Sequence, residues 1–208
     1  MLNIAVFGSG RGSNFHSILT AINEGTIPGA RIGCVISNNS DAGILEIART
    51  HALPAHHLSL KGFSSQEEFV SAVLDVLRSY DTNLIVLAGY MKLLDPRIIA
   101  AYRNRIINIH PALLPRFGGK GMYGIHVHEA VIASGAPVSG ATIHIVDEEY
   151  DRGAIILQKT VPVFPGDTPA ALAARVLDVE HEIYPEAIRR IARGDIAAVG
   201  IPAPAASS

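Results

Sequence analysis

Four short apolar runs, each followed by a stretch with helical spacing, constrain this chain more than any other feature. Residues 2–7 (LNIAVF), 31–37 (RIGCVIS), 83–88 (NLIVLA) and 105–109 (RIINI) are rich in Leu, Ile and Val. Runs of this length and composition read as strands buried on both faces. Helical patterns follow over 13–24, 42–51 and 64–80, and Asp95-Pro96 opens a short helix to about residue 102. Residues 54–58 read as a short strand and 126–134 as a helix. Late in the chain, 139–146 (SGATIHIV) and 154–163 read as two strands of a hairpin around an acidic loop, and 168–193 as the last helix. The order predicts an α/β fold, a single-domain doubly wound and mostly parallel sheet with a late antiparallel hairpin. The domain is expected over residues 1–194, with 195–208 as an Ala- and Pro-rich tail.

With 208 residues and 49% hydrophobic side chains, the chain can bury a full core. A net charge of −2 gives no general attraction to nucleic acid or to an acidic membrane, and neither is expected as a partner. No stretch approaches the length of a membrane span, and the glycines at 8 and 10 with Arg11 interrupt any signal-peptide core. The single Cys34 suits a reducing compartment, so a cytoplasmic protein is expected. His51, His56 and His57 lack a partner spacing that suits a metal, and His126 and His128 diverge on a helix. No metal is expected.

In residues 105–115 (RIINIHPALLP), Asn108 and His110 stand two apart. Extended backbone puts both on one face, and Pro111 holds His110 extended past the strand end. That places an amide and an imidazole where α/β proteins bind ligands, or else makes a polar strand end that bonds loop backbone. Residues 8–14 (GSGRGSN) follow the first strand directly and open a helix that Ser13 or Asn14 could cap. Neither the dinucleotide nor the Walker pattern fits, which leaves a phosphate site of another kind or a tight turn. Residues 89–94 (GYMKLL) either line a pocket for a flat ligand or pack in the ordinary way. Residues 116–124 (RFGGKGMYG) carry four glycines and read as an irregular, mobile loop beside the site, a lid or substrate clamp. The acids at 147, 148, 149 and 151 form a solvated turn or hold a catalytic carboxylate. Glu180 stands among apolar helical neighbours, an unexpected place for an acid.

NIHPALLP (108–115) resembles the signature of the folate-dependent formyltransferases. The likeness continues through SGRGSN, LAGYMKLL, GATIHIVDEEYDRG and DVEHEIYP, nearly the whole chain. It is closest to the branch that formylates glycinamide ribonucleotide (GAR) in purine biosynthesis. The resemblance implies a formyl group moved from 10-formyltetrahydrofolate to the amine of GAR, in a monomer or a homodimer. It places the catalytic trio at Asn108, His110 and Asp151, and the GAR phosphate on Gly12, Ser13 and Asn14. It puts Glu180 near the substrate amine, and folate along Met91, Lys92, Leu93 and Leu94, with Asn108 and the loop of Asp147. Arg152 departs from the Asp-Gly-Gly of relatives. Gln66 replaces an arginine that helps bind the cofactor, with Lys61 as a possible substitute. Amine attack builds negative charge on the formyl oxygen, which Asn108 and a protonated His110 could stabilise. Asp151 would favour the charged imidazole and accept the amine proton through a water.

Three other readings compete. A tRNA-formylating relative is expected to carry a further C-terminal RNA domain, and a formyl-folate hydrolase an extra N-terminal one. A binding module without turnover would not need all three of Asn108, His110 and Asp151.

Overall fold

The computed structural model describes residues 1–196; the expected tail, apart from Asp195 and Ile196, lies outside the described residues. One seven-stranded sheet runs through it in the order β3-β2-β1-β4-β5-β6-β7. Strands β1 (Leu2–Phe7), β2 (Ala30–Ser37), β3 (Ala55–His57), β4 (Leu84–Leu87) and β5 (Ile106–His110) are parallel. Strands β6 (Val138–Ile145) and β7 (Ile155–Pro162) continue the sheet antiparallel. Helices α1 (Ser13–Asn23), α2 (Gly43–Thr50), α3 (Gln66–Ser79), α4 (Pro96–Ala101), α5 (Ile125–Ala133) and α6 (Pro169–Arg193) cover both faces. In β1, Leu2, Ile4 and Val6 join a core built with α1, α2, α5 and α6, while Ala5 and Phe7 join the core under α3 and α4. This is the period-2 alternation of a strand buried on both sides.

Local chemistry sets the element ends. Ser65 caps α3 by accepting from the Glu68 N–H at 3.1 Å, and Glu68 accepts from the Ser64 N–H at 2.9 Å. Asp95 caps α4 ahead of Pro96, and Thr168 caps α6 ahead of Pro169. The expected cap on α1 is different. Neither Ser13 nor Asn14 caps it. Gly12 is the N-cap, left-handed at φ 84°, and makes no side-chain cap bond. A Cβ at Gly12 would meet the Ile44 Cα at 2.8 Å, so glycine also admits α2 against this turn. The first N–H groups of α1 therefore have no side-chain cap.

β1 and β4 are neighbours whose connections leave in opposite directions, the arrangement that opens a crevice at the strand C-termini. The loops after them are tied together: the Ser9 N–H donates to the Gly89 carbonyl at 3.0 Å, and the Met91 N–H to Ser9 Oγ at 2.8 Å. Behind them the buried Tyr184 of α6 donates to the Leu87 carbonyl at 2.8 Å, pinning the last residue of β4.

Candidate active site

β5 carries Asn108 and His110 to the sheet's C-terminal edge, and its antiparallel neighbour β6 sets His144 opposite Asn108 and Thr142 opposite His110. His144 Nδ1–H donates to the Ile145 carbonyl at 3.0 Å, so Nε2 is left as the acceptor and takes the Asn108 amide N–H at 3.1 Å. Asp151 sits in the β6–β7 connection with φ 56°. Its Oδ2 accepts the Gly119 N–H at 2.9 Å and lies 3.6 Å from His110 Nδ1; its Oδ1 lies 3.6 Å from His144 Nε2. His110 Nε2–H donates to the Phe117 carbonyl at 2.8 Å. The expected trio is thus one cluster, with His144 as a fourth member that the sequence reading left without a role. The alternation in SGATIHIV puts Thr142 and His144 on one face, but only the β5–β6 register reveals which residues they meet.

Burial decides the charges here. It is the largest influence on His110 and pulls the imidazole below its ordinary pKa; Asp151 and the Phe117 carbonyl oppose it without reversing it. The expected His110 imidazolium is therefore not the favoured resting form, because desolvation outweighs a carboxylate that does not touch the ring. With Nε2–H held by a carbonyl, neutral His110 offers a lone pair at Nδ1. Burial likewise lowers His144.

These groups line a cavity of about 610 Å³, within the usual size for a small-molecule site. Met91, Lys92, Leu93 and Leu94 form one wall, with Met91 and Leu93 more than half exposed. Asp147 lies on another wall and spends one oxygen on the Glu149 N–H at 2.9 Å. The loop of residues 116–124 has no helix or strand, as expected, and its part from Gly119 to Gly124 lines the cavity. Asn14 and Glu180 face the same space, where Asn14 Nδ2–H donates to Glu180 Oε2 at 2.6 Å. Burial pushes the Glu180 carboxyl up to about 7, against the pull of that hydrogen bond. Ser13 borders a separate pocket of about 350 Å³ with Arg11, His16, Ser17 and His181 beside it, and Gly12 is the turn at its edge.

Two departures from the family pattern have plain outcomes. Arg152 is not left-handed and its side chain is exposed beside Glu149 at 3.4 Å, so no glycine is needed there. Gly153 is needed, since a Cβ would overlap the Ile145 carbonyl oxygen. Gln66 turns to Asp95, donating at 2.7 Å, and neither it nor Lys61 lines the cavity. Among the described residues, no group of three or more His, Cys, Asp or Glu side chains is arranged to hold a metal ion, and no helix is long and apolar enough to cross a membrane.

Known proteins share this architecture. The formyl transferase family pattern matches residues 2–188. The chain is 46% identical over 189 residues to the chloroplastic phosphoribosylglycinamide formyltransferase of Arabidopsis thaliana, covering 90% of this chain and 64% of that protein. It thus spans less than two thirds of the length of that plant relative. It is 41% identical over 194 residues to the phosphoribosylglycinamide formyltransferase of Haemophilus influenzae, covering 93% of this chain and 89% of that protein. The crystal structure of glycinamide ribonucleotide transformylase 1 from Symbiobacterium toebii superposes with a TM-score of 0.86 at 42% identity, over 93% of this chain and 89% of that one.

Proposed function

Because the chain belongs to the formyl transferase family, we propose that it moves the formyl group of 10-formyltetrahydrofolate to the amine of GAR, giving N-formyl-GAR and tetrahydrofolate. One observation carries the reading: Asn108, His110, His144 and Asp151 meet in the same cavity as the apolar wall at 91–94 and the Asn14–Glu180 pair. Folate lies along Met91–Leu94 in this reading, its ring edge towards Asp147 and its formyl group at Asn108. The GAR phosphate takes the uncapped N-terminus of α1 at Gly12, Ser13 and Asn14, beside Arg11, which suits an anion. Glu180 receives the amine. A reducing cytoplasm suits the unpaired Cys34, whose thiol burial pushes up to about 12.

The amine nitrogen attacks the formyl carbon, and the carbonyl electrons move to oxygen. Asn108 donates an N–H to that oxygen; its other N–H is held by His144, which fixes the amide's orientation. His110 Nδ1 takes the proton shed by the amine. The resulting imidazolium is held between the Phe117 carbonyl and the Asp151 carboxylate. Collapse of the intermediate breaks the bond to folate N10, and His110 returns the proton to N10. Charge balances with no other reactant.

The test mixes the protein with GAR and 10-formyltetrahydrofolate and follows deformylated folate by absorbance. Turnover that requires GAR is expected, with His110→Ala and Asp151→Asn each lowering it about 100- to 1000-fold. Equal turnover without GAR would mean a hydrolase. Near-normal rates in either variant would remove that residue from catalysis.

A further inference from the structure

One row of side chains crosses three strands here. His110 on β5 pairs with Thr142 on β6, and Thr142 pairs with Gln158 on β7. Only His110 has a part in the reaction above. Thr142 is completely buried. Its hydroxyl donates to the Ala112 carbonyl at 2.6 Å and accepts from the Leu114 N–H at 3.1 Å. It also accepts from Gln158 Nε2 at 2.9 Å, and the same Nε2 donates to the Leu114 carbonyl at 2.9 Å. The hydroxyl thus uses its one hydrogen and both lone pairs, and the Gln158 amino group uses both hydrogens.

Three of these bonds hold the segment that leaves β5 after His110, and the fourth ties the two clamping side chains to each other. A few residues on, the same segment supplies the Phe117 carbonyl to His110 Nε2 and the Gly119 N–H to Asp151 Oδ2. Between them, Gly118 presses on the site: a Cβ there would meet Leu114 Cδ2 at 2.5 Å and Asp151 Cβ at 3.1 Å. Leu114, the residue clamped twice, therefore backs Gly118, which lies between it and Asp151.

We propose that Thr142 and Gln158 are positioning residues, a polar clamp on the strand-exit segment that sets the His110–Asp151 geometry from behind. The proposal rests on the formyl-transfer reading for its kinetic effect, but its structural claim does not. Neither residue lines the main cavity or the pocket at α1, so binding of the phosphorylated substrate does not depend on them. A replacement of the same shape without the hydroxyl, Thr142→Val, strands the Ala112 carbonyl, the Leu114 N–H and one Gln158 hydrogen in a buried place. Gln158 is an exposed residue whose Nε2 bonds reach into a partly buried place, so Gln158→Leu removes part of the clamp in a variant that retains the core.

The experiment measures kcat and KM for GAR in Thr142→Val, Thr142→Ser and Gln158→Leu. It also follows the His110 ring by NMR against pH in each. Misplaced reacting groups are expected to lower kcat about 10- to 100-fold in Thr142→Val and less in Gln158→Leu, with KM for GAR within about twofold. Thr142→Ser, which restores the hydroxyl, returns kcat to near the parent value. The His110 titration moves in the Val and Leu variants and not in the Ser variant. The groups that face this ring and are held constant are Asp151, His128 and His144. A parent-like kcat and titration in both Gln158→Leu and Thr142→Val overturns the clamp, as does a loss confined to KM. If Thr142→Val does not fold, Gln158→Leu alone decides by the same two readouts. If the parent itself does not formylate GAR, the formyl-transfer reading fails, and the His110 titration still decides the clamp.

Discussion

At Glu180 a single carboxyl is held where the fold would do better without its charge. It is 8% exposed, on a helix face otherwise made of Val176, Ile183 and Ala187. Its pKa is raised from 4.5 to about 7 by burial. The folded state therefore binds a proton more tightly than the unfolded state between those values. Stability on this account is complete below about pH 4.5 and declines as pH rises through about 7. Asn14 Oδ1 is buried with no partner, and a glutamine at 180 could donate to it while accepting from Asn14 Nδ2. Glu180→Gln should be the more stable protein above pH 7, by up to about 3 kcal/mol, with the gap closing towards pH 4.5. Unfolding by urea across pH 4 to 8.5 checks this, and parallel stability curves would contradict it. Poorer GAR binding by the stabler variant would tie the strained acid to the substrate amine. The odd acid was visible in the sequence because apolar helical neighbours surround it. Its partner Asn14 is 166 positions away and left no such sign.

At the scale of elements, the β6–β7 pair completes the site. The sheet is parallel up to β5, and the antiparallel pair brings the chain back alongside that strand. The junction is tight, because a Cβ at Gly153 would overlap the Ile145 carbonyl oxygen, the same oxygen that accepts from His144 Nδ1. Gly153→Ala must push that carbonyl, and with it His144 and the neighbouring Asp151. A loss of about 1–3 kcal/mol in stability is expected, together with a drop in turnover larger than that loss explains at a temperature where the variant is folded. Thermal unfolding and kcat measured on one preparation would check both. Parent-like values for the two would mean that this junction yields without disturbing the site. The strands themselves were legible, since Ile-rich runs bounded by Gly and Pro have few alternatives. The facing of Asn108 and His110 followed from the two-residue repeat. What could not be read was register: His144 against Asn108 and Thr142 against His110 depend on pairings 36 and 32 residues apart in sequence. For the same reason, the sequence offers Ser13 or Asn14 as the α1 cap and the structure uses neither. Asn14 is a good cap by type, but its side chain is drawn to Glu180 on a distant helix, and Gly12 makes the turn instead.

Across the whole molecule, the two ends of the cavity come from different parts of the chain. The loops after β1 and β4 meet at the crevice where the connections diverge; they supply Asn14 and the apolar wall at 91–94 to the cavity, while Ser13 borders the separate pocket beside α1. The β5–β7 half supplies Asn108, His110, His144 and Asp151, and α6 spans both halves with Glu180 and Tyr184. A phosphate at the neighbouring α1 pocket and a formyl group in the cavity would bring amine and formyl carbon together between Glu180 and Asn108. Direct transfer between the two substrates is the central claim. The most direct test supplies 10-formyltetrahydrofolate labelled with ¹³C in the formyl carbon, adds GAR and the protein, and follows the label by NMR. The account predicts that the label appears in the formamide of N-formyl-GAR, with none passing through free formate, and that His110→Ala suppresses the signal. Label released as formate, or left on folate while GAR is bound, would contradict it.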